Sequence, residues 1–332
     1  MISTRQPLSI ARRMERTEEM RTGSIVLAIG GNALQPPGET ADLAAMHKRI
    51  RATAQVVADL VAGDTGLVLT HGNGPQVGNL LLQTEESRGR VPAAPLDVLG
   101  AETQAQIGYL LQQALRNEFT KRGRETGVAT IVTQVVVDAD DPAFHNPTKP
   151  IGPTIPTETE AMIKRARGWN LLPDARGGWR RVVPSPRPLE VVELAAIRAL
   201  LEAGAVVIAA GGGGIPVVRR GTELVGVEAV IDKDLTSVVL ARGLAAERLV
   251  LATDVERVAL DFKKPGQRFL ERMTVAEARE YLRQGQFPAG SMGPKVEAAV
   301  SFVESGGKEA RIANLSGLKD ALDGDAGTRI VP

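Results

Sequence analysis

The chain has 332 residues, 43% of them hydrophobic and only 3% aromatic, enough for one large core or two modest domains packed mainly by Ala, Val, Leu and Ile. Forty Lys and Arg against 39 Asp and Glu leave a net charge of +1, which argues against an extended nucleic-acid surface. The absence of cysteine removes disulfides, thiolate metal ligands and a cysteine nucleophile.

No apolar run approaches the roughly 20 residues that a membrane helix needs. Residues 1–22 mix Arg5, Arg12, Arg13, Arg16 and Arg21 with Glu15, Glu18 and Glu19. No apolar signal-peptide core follows them. They are expected to form a flexible N-terminal extension ahead of a domain spanning residues 23–332, in a protein of the cytoplasm.

The elements then come in an alternating order. Ser24 to Ile29 reads as a buried strand, and apolar Leu43, Met46, Ile50, Val57 and Leu60 predict a helix over roughly Thr40 to Val61. Gly66 to Thr70 is a second strand. A helix is expected from Pro75, since proline suits the first helical turn, and a long one from Leu96 to about Arg122. Val128 to Val137 reads as one strand. From Asp138 to Pro186 the texture changes to Pro, Gly, Arg and Trp, with both tryptophans, Trp169 and Trp179, which predicts an inserted subdomain. The alternation resumes with a helix from Pro188 to Glu202, a strand from Ala205 to Ala210, a helix from Lys233 to Arg242 and a strand from Arg248 to Ala252. Late helices are expected over Val275 to Leu282 and Lys295 to Glu304, with short closing strands at Ala310 to Ala313 and Arg329 to Val331. Such alternation predicts an α/β fold with a mainly parallel sheet, whose strands read as continuous apolar runs. Ligands of these sheets bind where the carboxyl ends of the strands gather.

Three predicted strands run straight into glycine. The first ends in Gly30-Gly31-Asn32, the second in His71-Gly72-Asn73-Gly74-Pro75, and the strand at Ala205 in Gly211-Gly212-Gly213-Gly214. Glycine lets main-chain N–H groups approach an anion, and the unpaired N–H groups of a helix start favour negative charge. Any one of these could be a tight connection alone; three on one sheet edge predict a phosphate site. The common nucleotide motifs are absent: there is no P-loop, and Gly72, Gly74 and Gly78 carry one residue too many for a dinucleotide fingerprint.

Three lysines stand in unusual contexts. Lys149 lies between Pro147 and Pro150, Lys233 lies between Asp232 and Asp234 at a predicted helix start, and Lys295 follows Gly290-Ser291-Met292-Gly293-Pro294 at another. A lysine at a helix start opposes the dipole, so something other than helix stability places these two. Phosphoryl transfer asks for positive charge around the moving group and little covalent chemistry. Asp234 could hold Lys233 and Lys295 in place. Of the three histidines, His71 beside the glycine loop is expected to make a structural hydrogen bond.

These segments resemble the amino acid kinase family, and within it the carbamate kinases. The resemblance runs in order through Ala28 to Leu34, His71 to Gly78, Asn146 to Gly152, Arg181 to Pro186, Gly211 to Pro216, Gly226 to Asp234 and Gly290 to Lys295, from about Ile25 to the end. It implies an open, mainly parallel eight-stranded sheet between two helix layers, normally dimeric, with a protruding lid subdomain over about residues 138–184. By the same resemblance Lys149, Lys233, Lys295 and Asp234 are catalytic. Gly30, Gly31, Asn32, Gly72, Asn73 and Gly74 would bind carbamate and the phosphoryl group. Gly212, Gly213, Gly214, Thr253, Asp254, Val255, Met292 and Gly293 would border ATP or ADP. Magnesium would be bound through the nucleotide phosphates with no direct protein ligand. The implied reaction converts carbamoyl phosphate and ADP to ATP and carbamate, reversibly, as part of arginine metabolism. Ala28 stands where many relatives carry a lysine, and the lid lysine takes over that role. Glu256-Arg257 departs from the small residues common at that point. Another kinase of this fold, an inactive nucleotide-binding protein and a dehydrogenase are the competing readings. The retained lysines and the failed fingerprint weigh against them.

Overall fold

Ser24–Ile29 (β1) alternates across the sheet: Ile25, Leu27 and Ile29 pack into one apolar cluster and Val26 and Ala28 into another. Both faces are dry, so the strand is apolar at every position but its first, as a central parallel strand must be. The computed structural model describes residues 23–31, 43–61, 65–174, 177–288 and 291–332. The expected N-terminal extension, the first turn of the helix expected from Thr40, and Asn32 and Gly290 lie outside the described residues.

The chain continues through helix α1 (Leu43–Leu60), β2 (Gly66–His71), α2 (Gly74–Ser87), α3 (Leu96–Lys121), β3 (Val128–Thr130) and β4 (Gln134–Val137). Next come β5 (Lys149–Ile155), α4 (Glu158–Ala166), β6 (Leu171–Pro173), β7 (Trp179–Val183), β8 (Pro188–Val191), α5 (Leu194–Glu202) and β9 (Val206–Ile208). The last third holds β10 (Ile215–Arg220), β11 (Glu223–Gly226), α6 (Lys233–Gly243), β12 (Arg248–Thr253), β13 (Ala259–Leu260), β14 (Arg268–Phe269) and β15 (Arg272–Thr274). It closes with α7 (Val275–Arg283), α8 (Met292–Glu304), β16 (Glu309–Asn314), α9 (Leu318–Asp323) and β17 (Thr328–Val331).

Eight strands form the main sheet in the order β15-β17-β16-β12-β1-β2-β9-β3. The pairs from β16 to β3 are all parallel, while β17 runs antiparallel to β16 and carries β15 with it. One face is covered by α1, α3 and α9, whose Ile50, Val57, Ile107, Leu111, Phe119 and Leu318 meet the odd residues of β1. The other is covered by α5 to α8. This is the expected α/β architecture: a mostly parallel eight-stranded sheet between two helix layers.

Two elements differ from the sequence-based expectation. Val128 to Val137 is not one strand. Its first three residues belong to the main sheet, and Gln134–Val137 starts a second sheet of order β11-β10-β4-β8. Between them the Gln104 side chain of α3 takes over the main chain of buried Thr133, accepting its N–H at 2.8 Å and donating to its carbonyl at 3.1 Å. The helix expected from Pro188 begins only at Leu194. Pro188–Val191 pairs antiparallel with β4, and Glu193 turns the chain by binding both the N–H and the side-chain amide of Gln134.

Residues 149–183 make a small antiparallel sheet of order β5-β7-β6 with α4 beside it. Its two tryptophans are stacked by cations of the same unit: Arg165 on Trp179 and Arg181 on Trp169, each at 4.2 Å from the ring centre, and Lys164 on Trp169 at 4.8 Å. The insertion rests on α2. Lys164 pairs with Glu86 at 3.0 Å, and the main chains of Gly78 and Gly152 meet directly. A Cβ on Gly78 would fall 2.0 Å from the Gly152 Cα and 2.1 Å from its nitrogen, and main-chain atoms cannot yield as a side chain can. Gly78→Ala should therefore push the insertion off α2 or destabilise the protein by about 1–3 kcal/mol, despite alanine's better helix propensity. Thermal unfolding and limited proteolysis within residues 149–183 check this; a variant as stable and as protease-resistant as the wild type would exclude it.

Candidate active site

Five parallel strands deliver their carboxyl ends to one edge. There Gly30 and Gly31 follow β1, Gly72 to Gly74 follow β2, and a turn containing Gly212 follows β9. On the other side Thr253 to Val255 end β12, and Asn314 to Ser316 end β16. Together they floor a cleft of about 880 Å³. Four strand spacings separate β16 from β9, roughly 19 Å at the usual interval, which is long enough to lay a nucleotide beside a small acceptor.

The glycine loops after β1 and β2 touch. Gly72 N–H donates to the Ile29 carbonyl at 3.1 Å, and a Cβ on Gly72 would lie 3.0 Å from the Gly31 nitrogen. Helix α2 starts at Gly74 with Pro75 in its first turn and no side-chain cap, because buried Asn73 turns its amide to Thr103 Oγ1 at 2.9 Å. No side chain therefore closes the start of α2 at the cleft, where the helix dipole favours an anion. His71 is fully buried, its pKa pushed down to about 4 by burial, opposed by its hydrogen bond to the Gly72 carbonyl and aided by nearby Lys233. With Nδ1 donating to that carbonyl at 3.2 Å, this neutral imidazole shapes the loop, as expected from the sequence.

The three lysines meet across this floor. Lys233 is the first residue of α6, and Asp234 follows it. Lys233 Nζ donates to Asp234 Oδ1 at 2.5 Å, and Lys295, in the first turn of α8, donates to Asp234 Oδ2 at 2.8 Å. Burial works against the charge on Asp234, but contact with Lys233 and then Lys295 prevails and holds its pKa far below the ordinary aspartate value. Burial lowers Lys233 to about 8 against the pull of Asp234. Burial opposes the charge on Lys295 as well, yet Asp234 reverses the effect and the net direction is up. The carboxylates of the capping Asp232 and of Asp234 in the first turn of α6 offset the cost of starting it with a cation, since a helix start favours negative charge. Lys149, the first residue of β5, reaches from the insertion and donates to Asp232 Oδ2 at 2.5 Å. Three lysines against Asp232 and Asp234 leave one net positive charge.

The expected residues are not all equivalent. Gly30, Gly31, Gly72, Asn73, Gly74, Lys149, Lys233, Asp234, Lys295, Thr253, Asp254, Val255 and Met292 line one cleft; Gly293 is buried directly beneath it against the Pro288 carbonyl. The three glycines of the turn after β9 expected to border the nucleotide divide between the cleft and the interior. Gly212 lines the cleft at the β9 end, three strands from Thr253, while Gly213 and Gly214 are buried against the Ile231 carbonyl and Val135. Packing accounts for this turn: a Cβ on Gly212, at φ +66°, would strike the Asn73 side chain at 2.2 Å.

Sequence reasoning passed over Asp232, visible only as the first carboxylate of Asp-Lys-Asp. It also passed over Arg49 and Thr53 on α1, Arg257 and Phe262, all of which line the cleft. Arg257 is held there by Glu271 at 2.7 Å and the Asp325 carbonyl.

Known proteins resemble this chain in sequence and in fold. The model of the amino acid kinase family matches residues 23–314. The carbamate kinase of Pyrococcus horikoshii is 48% identical over 310 residues, 93% of this chain and 99% of its own length. The carbamate kinase of Clostridium perfringens is 46% identical over 92% of this chain and 99% of its own. Among solved structures, carbamate kinase from Giardia lamblia bound to AMP-PNP superposes with a TM-score of 0.86 at 43% identity, covering 94% of this chain and 99% of that one. Sequence and overall fold agree, and the chain belongs to the amino acid kinase family.

Proposed function

We propose that the protein catalyses reversible phosphoryl transfer between ATP and carbamate: carbamoyl phosphate and ADP give ATP and carbamate. The observation that carries this reading is the convergence of Lys149, Lys233 and Lys295 with Asp234 on a cleft floored by the Gly30 and Gly72 loops. Relatives named carbamate kinase at nearly half identity over almost the whole chain support it.

In the direction that makes carbamoyl phosphate a carbamate oxygen attacks the γ-phosphorus of ATP in line, a P–O bond forms, and the bond to the ADP oxygen breaks; ATP formation is the reverse. Carbamate is already an anion, so no general base is needed, which suits a site whose one adjacent histidine is buried and neutral. The chain supplies position and charge. Amides of the Gly30 and Gly72 loops and of the α2 start would hold the acceptor and the phosphoryl group. Lys233 and Lys295, fixed by Asp234, would face the charge on the moving group, with residues 149–183 acting as a lid that brings Lys149 to it. Thr253 to Val255 and Met292 would border the nucleotide, and Gly212, at the β9 end of the cleft, would lie nearer the acceptor. Magnesium, if carried by the nucleotide, would neutralise phosphate charge. Asp232 and Asp234 are both engaged by lysines, which fits an ion carried on nucleotide oxygens. A homodimeric state, a cytoplasmic location and a role in arginine metabolism come with this reading from the resemblance.

Purified protein given ADP, Mg²⁺ and carbamoyl phosphate should form ATP well above a protein-free blank. No ATP from folded, ADP-binding protein would sink the assignment. Lys233→Ala and Lys149→Ala should each cut turnover on the order of 10²- to 10³-fold with the fold intact; near-normal turnover of either would remove that lysine from the mechanism.

Lys233 also sets a pH limit. Its pKa is lowered to about 8, so it is charged below that pH and loses its proton above it. In the free enzyme kcat/KM should be level below this point and fall as pH rises through about 8, while kcat, which reports the phosphate-bound enzyme, holds to higher pH. A profile of kcat/KM that stays flat beyond pH ~10 would show that Lys233 keeps an ordinary pKa.

A further inference from the structure

The two oxygens of Asp232 serve different parts of the structure. Oδ1 accepts the main-chain N–H of Asp234 at 2.9 Å and of Leu235 at 3.4 Å, which caps α6. Oδ2 accepts from Lys149 Nζ at 2.5 Å, a residue 83 positions away in sequence. The cap needs only one oxygen, and asparagine or serine would serve as well. The second oxygen is therefore not explained by the helix. Lys149 is the first residue of β5, its main chain paired with Val183 of β7. Three residues on, Gly152 is locked against Gly78. Its backbone is thus fixed over the cleft, and what remains to be set is the direction of a four-carbon side chain with several free torsions. Lys149 keeps about a third of its side-chain surface exposed, so without an anchor its ammonium group would turn to water. Asp232 holds it inside, beside Lys233 and Asp234.

We propose that Asp232 is a positioning residue for the phosphoryl transfer described above: it caps α6 with one oxygen and with the other holds the lid lysine Lys149 in the empty cleft, releasing it to the phosphoryl group when substrate enters. The inference rests on the kinase reading of this cleft. No bond is made or broken at Asp232. The lysine exchanges one anionic partner for another, and the cost of ordering its side chain is met before the substrate arrives.

A purely electrostatic role predicts the reverse. Removing the Asp232 charge raises the net charge of the five-residue cluster from one to two, which would tighten binding of an anionic substrate and lower KM without loss of turnover. The full-length Asp232→Asn variant separates the two, because asparagine preserves the cap and the shape. Assayed with ADP, Mg²⁺ and carbamoyl phosphate, it should lose about ten- to hundredfold in kcat, the usual range for one charge-assisted hydrogen bond, at near-wild-type thermal stability. In a Lys149→Met background the same change should cost little more, since its partner is gone. Labelling of Lys149 by an amine-selective reagent, read by mass spectrometry, should rise in Asp232→Asn, because the freed ammonium group turns to water. Unchanged kcat with a lower KM, or equal losses with and without Lys149, would overturn the proposal. If Asp232→Asn does not fold, Asp232→Ser takes its place in the same comparison. A wild-type enzyme that makes no ATP would overturn the reaction, while faster labelling of Lys149 in Asp232→Asn would still establish the anchor. An active wild type with an indifferent Asp232→Asn would overturn the anchor alone.

Discussion

The carboxylate of Asp234 lies between two ammonium groups, and the geometry of the cleft depends on that triad. It ties the start of α6 to the start of α8, two helices from separate parts of the chain. Burying three charges carries a large desolvation cost, which a good ion pair recovers only in part. Its contribution is therefore better understood as placement than as stability: two cations are held at fixed positions in a site where either alone would be expelled or neutralised. Loss of the aspartate would leave two buried like charges beside each other, the arrangement that buried ion pairs punish most.

The sheet provides the rest. Parallel strands put every β-to-loop junction on one edge, so five loops distant in sequence share one floor. Small residues let these loops approach. Gly31 and Gly72 meet main chain to main chain, and the turn after β9 makes room for Asn73 and His71. Hydrogen bonds then lock α6 to this floor, through Thr70 Oγ1 and Ser237 Oγ at 2.7 Å and through Thr236 Oγ1 to the Gly213 carbonyl at 2.7 Å. Rigidity comes from packing beneath the loops, while the loops themselves present amides to whatever binds.

Much of this was legible in the sequence. Continuous apolar runs ending in glycine identified β1, β2 and β9 and the edge they share, and Asp-Lys-Asp together with Gly-Pro-Lys identified both cationic helix starts. Other features had no local signal. The break at residues 131–133 arises because Gln104, on a helix almost thirty positions earlier, replaces strand partners for Thr133. The strand before α5 exists because β4 is there to pair with it. The run of four glycines was legible as a turn, but the contacts that leave no space for a side chain at Gly213 and Gly214, with the Ile231 carbonyl and Val135, were not. Asp232 was overshadowed by the lysine beside it, since its contact with Lys149 spans two units that only the fold brings together.

The buried state of Lys233 has a calorimetric consequence. Near and above its pKa of about 8 part of the empty enzyme has already released that proton. A phosphate arriving beside Lys233 favours the charged form, so binding draws a proton back from solution. The heat of ligand association should then include the ionisation enthalpy of the buffer, and the same titration in two buffers of different ionisation enthalpy would count the protons taken up by the site.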